Sequence, residues 1–395
     1  MESNRRSFLK GAAISATPLF IPRGAFGAND RISHGVIGTG NRGAYLNQHF
    51  QNVGAQCVAL CDVYEPHVEK ARSQSPANVK TYVDYHDLLS HPGLDAVVIA
   101  APDHHHCPML LAALEAKKDV YCEKPLSKSM DQNQRMIDAV RAGKQVVQIG
   151  MQRRSNEYVR RAKKLVDDGV LGTIYMVKPY WNWNIAQPLD NSPLAGQLDW
   201  DRFLGSAPKR ELEPMRFRAW RQFKDYAGGN MTDQGTHLMD VTQWFTKSGP
   251  PVSALMHGMI AKSAGAEYPD VFCAIFEFPK HMVTWTLNYT SSYEENWRIQ
   301  FQGDRGTMML FERGYVVWGD PWPKKQDPIY TESSDGPNGG LTGNNATEAH
   351  IRNFLECIRT REDPNCTVEI AAAAVTGPHM ANLAFEKGCR YSLAG

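Results

Sequence analysis

The sequence has almost no excess of charge: 43 Lys and Arg stand against 42 Asp and Glu, a net of +1 over 395 residues. A balance of this kind does not point to nucleic acid or another polyanion as partner. Polybasic runs are missing beyond the first residues, as are low-complexity stretches and internal repeats. Long apolar runs are missing too. The stretch 11–21 is short and interrupted around Pro18 and Pro22, so no membrane insertion is expected. The eight cysteines (57, 61, 107, 122, 273, 357, 366, 389) have neither CxxC nor zinc spacing, and several fall in apolar strands where they serve as small apolar residues. No obligatory disulfide and no metal are expected. What the chain does have is length enough for two domains, each with its own core.

Residues 1–30 are set aside as a targeting segment. Asn4-Arg5-Arg6-Ser7-Phe8-Leu9-Lys10 matches a twin-arginine export signal, and Ala25-Phe26-Gly27 supplies small residues for cleavage near Ala28. A soluble, periplasmic or otherwise exported protein is expected. That route carries proteins already folded, so a dinucleotide needed outside the cytoplasm would have to leave bound.

The next segment organises the rest. Arg31-Ile32-Ser33-His34-Gly35-Val36-Ile37 is a short strand-like run that ends in Gly38, Gly40 and Gly43. This is the spacing of a dinucleotide-binding turn between strand and helix. Gly38 permits the tight turn, Gly40 lets backbone approach a pyrophosphate, and Gly43 lets the helix lie close on its strand. A second strand, 56–60, is closed by Asp62, about twenty residues on, where a carboxylate takes the adenosine ribose. Asp62 favours NAD over NADP, and Arg42 nearby softens that preference.

From 31 to about 150, short apolar strands (58–61, 96–100, 120–122, 145–149) alternate with helices (43–52, 66–73, 106–116, 130–142) and a short helical connection (82–89). The alternation predicts a doubly wound parallel sheet with ligands at the strand carboxyl ends. Beyond Gly150 the pattern changes. A helix over 157–167 precedes strand-like segments at 174–183, 253–260, 271–278, 282–289, 297–302 and 307–311, and helices at 346–359 and 369–387 close the chain. These predict an α+β domain (153–395) with a large open, mostly antiparallel sheet behind a Rossmann domain (31–152). Gly336–Gly340 reads as a surface loop.

Three places carry candidate chemistry. Lys124, in Tyr121-Cys122-Glu123-Lys124-Pro125, sits where Pro125 forces the chain out of the sheet. It is either a solvent-exposed lysine or a donor that stabilises a developing alkoxide. Asp233, His237 and Asp240 share a helical face after Gly228-Gly229. Asp233 and His237 are either a core histidine with its carboxylate or a general base oriented by that acid. Consecutive His104-His105-His106 cannot all face one ion. Trp181 and Trp183 share one face of a strand, either as core or as a surface for a sugar ring.

Taken together these motifs resemble the Gfo/Idh/MocA oxidoreductase family over the whole chain from about Arg31. The resemblance rests on Gly38-x-Gly40-x-x-Gly43, Asp62, Ala101-Pro102-Asp103-His104-His105-His106, Glu123-Lys124-Pro125, and Asp233-x-x-x-His237. It implies Gly38, Thr39, Gly40, Asn41, Arg42, Gly43, Asp62, Pro102, Asp103, His106, Glu123, Lys124 and Arg153 as cofactor-binding residues. Asp103 stands where the family commonly carries Asn. It implies Lys124, Arg154, Trp183, Asp233 and His237 around a carbohydrate, with Lys124, Asp233 and His237 catalytic and His237 the acid/base. It also implies oligomer contacts through the open sheet, as in a homodimer or homotetramer.

The function expected is an exported NAD(P)-dependent oxidoreductase acting on a sugar, polyol or glycoside hydroxyl with a retained cofactor. A redox-neutral glycosidase, working by oxidation, elimination, addition and reduction, is the alternative. A silent ligand sensor on the same fold is a third reading, disfavoured by the intact Lys124, Asp233 and His237.

Overall fold

The computed structural model describes residues 31–320, 327–333 and 346–393. The export signal expected over 1–30 and the loop expected at 336–340 lie outside the described residues. The first sheet is built from β1 (Ser33–Ile37), β2 (Gln56–Cys61), β3 (Lys80–Tyr82), β4 (Ala96–Ile99), β5 (Asp119–Cys122) and β6 (Val147–Ile149). Its order is β3-β2-β1-β4-β5-β6, and all its pairings are parallel. The order reverses between β1 and β4, which puts a crevice at their carboxyl ends. Its helices are α1 (Asn41–Asn52), α2 (Glu65–Ser73), α3 (Tyr85–Leu89), α4 (Asp103–Glu115) and α5 (Met130–Ala142).

After α6 (Glu157–Asp167) come β7 (Ile174–Asn182), two short helices α7 (Trp200–Leu204) and α8 (Pro214–Arg218), and the long α9 (Gly229–Thr246). The second sheet adds β8 (Ser253–Met259), β9 (Val271–Glu277), β10 (Met282–Asn288), β11 (Asn296–Gly303), β12 (Gly306–Phe311), β13 (Gly314–Gly319), β14 (Tyr330–Ser333) and β15 (Tyr391–Ser392). It runs β14-β13-β12-β11-β7-β10-β9-β8-β15, antiparallel except where β7 and β10 pair in parallel. One face of β9 and β10 is buried and the other is open, the alternation seen in their sequences. Helices α10 (Ala346–Thr360) and α11 (Val368–Lys387) end the fold.

The two sheets do not keep separate stretches of chain. Ile351, Phe354 and Leu355 of α10 join the core of β1, β2 and α1, and Ala371, Ala374 and Val375 of α11 join the core on the opposite face. Met380 and Ala381, further along α11, enter the second core beneath Trp285 and Phe276. A boundary at 152 therefore marks the change of sheet, while the last fifty residues serve both cores. Helix α9 is buried on nearly all sides, most of its polar residues included.

The structure differs from expectation in detail. Strand β3 occupies 80–82, at the start of the expected helical connection, because Thr81 pairs with Leu60 at the sheet edge. Helix α4 begins at Asp103 rather than at 106, so the three histidines lie in its first turn. The segment 184–228, which has no clear period, folds into α7, α8 and a 3-10 turn.

Candidate active site

The glycine turn has the shape its spacing demands. Gly38 lies at φ +84, and a side chain there would stand 2.6 Å from the Ala101 nitrogen. A Cβ on Gly43 would fall 1.8 Å from the Gly38 carbonyl oxygen, so only glycine lets α1 approach β1. Gly40 is different: its nearest neighbour is the His67 ring at 3.4 Å, and the space above it is open. The first N–H groups of α1 have no partners within the helix and form an anion cradle.

Asp62 ends β2 beside that cradle and is 9% exposed. Its Oδ2 accepts from the Thr39 N–H at 2.6 Å and its Oδ1 from the Tyr64 N–H at 2.9 Å. The His67 Nδ1 is 3.5 Å from Oδ2. Gly38, Gly40, Asn41, Arg42, Asp62 and Pro102 line a cavity of about 1120 Å³ along these strand ends. Its volume, the open floor over Gly40 and the carboxylate at the end of β2 fit a dinucleotide.

Of the expected cofactor residues, Thr39, Gly43, Asp103, His106, Glu123, Lys124 and Arg153 do not line this cavity. Arg42 does reach the cavity, but its Nε donates to Glu123 Oε1 at 2.8 Å and its second nitrogen pairs with the same oxygen at 2.7 Å. It is held by that carboxylate rather than free to meet a 2′-phosphate. His106 is buried, its ring nitrogens 2.7 Å from the Pro125 carbonyl and 2.9 Å from the Ala101 carbonyl. It ties down the turn that carries Lys124, and His105 lines the cavity instead. Arg153 packs over Trp181 and Trp297, 5.1 and 4.5 Å from the ring centres, because these faces attract a guanidinium. Asp103 is 3% exposed. Burial, and then the Asp233 carboxylate, push its carboxyl up to about 8.

Lys124 projects from the end of β5. Its Nζ donates to Asp233 Oδ1 at 2.6 Å and to the Asp233 carbonyl at 3.0 Å. Arg221 adds a second cation to the same oxygen at 3.2 Å, and Gln234 donates to Oδ2 at 3.1 Å. Burial alone would raise the Asp233 carboxyl, but Lys124 and Arg221 outweigh it and hold the group well below the usual carboxylate range. Seven residues on, Asp240 takes Arg154 Nε at 2.7 Å. Two ion pairs thus fix α9 to loops that follow β5 and β6.

His237 lies between these pairs, one turn or about 6 Å along the axis from Asp233. Asp233 does not orient it, since that carboxylate is taken by Lys124, Arg221 and Gln234. The His237 Nδ1 is buried with no partner among the described residues. Burial first, then the charges of Arg153, Lys124 and Arg42, hold its pKa well below the ordinary value, so the ring is neutral at pH 7. Trp183 donates its indole N–H to Asn296 at 2.8 Å and lies 5.6 Å from the Tyr289 ring.

Sequence reasoning missed Arg221, Tyr289 and the pairing of Arg154 with Asp240. Only the last had a usable signal, an aspartate at i+3 from His237 on a helix whose face it shares.

Residues 32–151 match the model of the oxidoreductase family with an NAD-binding Rossmann fold, and residues 159–309 match the GFO/IDH/MocA C-terminal domain. The chain belongs to the Gfo/Idh/MocA oxidoreductase family. Curated relatives include the inositol 2-dehydrogenase of Rubrobacter xylanophilus, 37% identical over 149 residues, which are 37% of this chain and 42% of that one. The inositol 2-dehydrogenase of Salmonella typhimurium is 35% identical over 146 residues, 36% of this chain and 44% of that one. The alignment spans less than half the length of these relatives. Among solved structures, levoglucosan dehydrogenase in complex with NADH and levoglucosan superposes with a TM-score of 0.74 at 18% identity, covering 92% of this chain and 100% of that one. The WlbA dehydrogenase of Bordetella pertussis, in complex with NADH and UDP-GlcNAcA, gives 0.68 at 18% identity, covering 92% and 99%. At such identities these likenesses speak for the family fold alone.

Proposed function

We propose that this member of the family is an NAD-dependent oxidoreductase that acts on a hydroxyl of a sugar or polyol. The observation that carries the reading is the pairing of Lys124 with Asp233, one helical turn before a neutral His237 on α9, which ties this helix to the Rossmann strand ends. Bound NAD supplies the hydride acceptor. Asp62 would hold the adenosine ribose and the first N–H groups of α1 the pyrophosphate. Arg42, committed to Glu123, leaves Asp62 to set the preference for NAD.

Lys124, oriented by Asp233, donates to the substrate oxygen and polarises its O–H bond. His237, neutral at pH 7, accepts the hydroxyl proton. The cations that keep His237 neutral also favour negative charge on the substrate oxygen. Trp183, half-buried and backed by Tyr289, offers flat apolar surface for the C–H face of a ring. The dehydrogenase names of the relatives and their sugar or polyol substrates support this class.

Our reading extends to export through the twin-arginine motif at 4–10, to the periplasm or beyond, and to a dimer or tetramer formed across the open sheet. Mass spectrometry of the small molecule released on denaturation tests the cofactor. A panel of sugars, polyols and aryl glycosides tests the reaction: nicotinamide reduction by a polyol or free sugar supports a dehydrogenase. Aglycone release without an added acceptor would replace it with the redox-neutral glycosidase.

A further inference from the structure

Residues 189–226, between the second sheet's first strand and α9, return to the first sheet and cross three of its loops in turn. At the loop after β2, Leu198 forms an antiparallel bridge with Tyr64, the Asp199 N–H donates to the Val63 carbonyl at 2.8 Å, and the Glu65 N–H donates to the Gln197 carbonyl at 3.0 Å. The Tyr64 hydroxyl donates to the Ala195 carbonyl. At the loop after β3, Arg202 lies 3.6 Å from Asp84 while also pairing with Asp199. After β4, the Phe203 carbonyl accepts from His104 Nε2 at 2.9 Å and His105 Nε2 at 2.8 Å, and the His104 N–H donates to the Tyr226 carbonyl at 3.0 Å.

These are the loops that bound the adenosine end of a doubly wound crevice. Tyr64, Phe203, Leu204, Phe217, Phe223 and Tyr226 bury a separate apolar cluster beneath the crossing, so the segment has its own core holding it down. The cavity beside Asp62 is walled on its outer side by Leu194, Phe203, Phe217, Arg218 and Trp220 from the same segment. Tyr64, His67 and Phe217 meet ring to ring at 4.9 to 5.8 Å next to Asp62, with Tyr64 edge-on to the other two, and give an apolar wall suited to a purine. The histidine triplet finds its use here: two of the rings anchor the segment.

We infer that residues 189–226 form an intra-chain clasp that completes the adenosine half of the dinucleotide site and keeps the cofactor resident through many turnovers. The inference rests on the NAD reading of the groove given above. With the clasp in place the adenosine end has protein on both sides. Release then requires ties to three loops to open together, which slows dissociation more than it changes the contacts made.

The full chain, produced with its cofactor, is dialysed, and its NAD content is followed over time by mass spectrometry of the denatured protein. The same is done for Asp199→Ala/Arg202→Ala, which cuts the tie to the β3 loop, and for Arg202→Ala alone should the double variant not fold. We expect the wild type to keep near-stoichiometric NAD and the variant to lose it at least about tenfold faster. In hydrogen exchange on the wild type, the Asp199 and Glu65 amides should exchange more slowly with NAD bound. A wild type that binds added NAD in a thermal-shift assay but loses it as fast as the variant overturns the clasp and leaves the cofactor reading intact. A wild type that releases no NAD on denaturation and whose melting temperature does not respond to millimolar NAD overturns the cofactor reading, and the clasp with it.

Discussion

Lys124 and Asp233 come from different sheets' elements, the turn after β5 and the helix α9, and their charged atoms meet at 2.6 Å with both side chains about one-seventh exposed. A lysine so placed has lost most of its rotamer freedom before any substrate arrives. Its ammonium points where the Rossmann crevice meets α9. Lys124→Met should therefore lower kcat by about 10²–10⁴. NAD content should not change, since Lys124 does not line the cofactor cavity. Turnover and NAD stoichiometry measured on the same preparation check both halves. Loss of NAD would assign Lys124 to the cofactor site instead.

Asp103 gives a prediction in pH. Its folded-state pKa is raised to about 8 by burial and then by Asp233, against about 4 in an unfolded chain. Between those values the folded state holds a proton that the unfolded state has released, so stability falls as pH rises through that window. Asp103→Asn removes the titration. The variant should melt higher than wild type, by a margin that grows from pH 5 to pH 8.5. Thermal melts at four or five pH values check it, and a constant margin would show that Asp103 is ionised throughout.

Much of the fold was legible because it rests on period and punctuation. Five parallel strands, the glycine turn and Asp62 are local signals, and the turn's demands on Gly38 and Gly43 follow from sterics alone. The second sheet was recognisable from alternation in β9 and β10. Residues 184–228 were not, since their order comes from aromatic packing on Tyr64 and from backbone ties to distant loops rather than from any repeat. Spacing also misled. Asp233 and His237 share a helical face, but the partners of Asp233 arrive from Lys124, 109 residues earlier, and from Arg221 in an irregular turn. An i, i+4 pattern states proximity and is silent about a competing cation.

Gly43→Ala tests the glycine turn directly. Its new methyl would fall 1.8 Å from the Gly38 carbonyl oxygen, and the obstacle is backbone, which cannot rotate aside. Relief requires α1 to lift from β1, at a cost of about 1–3 kcal/mol. A lower melting temperature and weaker NAD binding should appear together. Gly40→Ala meets only the His67 ring at 3.4 Å; it should leave the apo protein's stability nearly unchanged while weakening NAD.

His237 is predicted to set the acid limb of the pH profile, and Arg153 to set its position. The ring is neutral down to well below pH 6.5 because burial, then Arg153, then Lys124 oppose the imidazolium. Activity in the oxidative direction should hold as pH falls through 6.5, and His237→Asn should cost about 10²–10⁴ in kcat. Removing the Arg153 charge while keeping its bulk, as in Arg153→Met, takes away the largest electrostatic opponent of protonation. The folded-state pKa of His237 then rises, and the acid limb of kcat/KM moves up towards neutral pH. A role for Arg153 limited to packing between Trp181 and Trp297 would lower activity without moving that limb. An unshifted limb in Arg153→Met, together with an unaltered melting temperature, would mean that another group carries the proton.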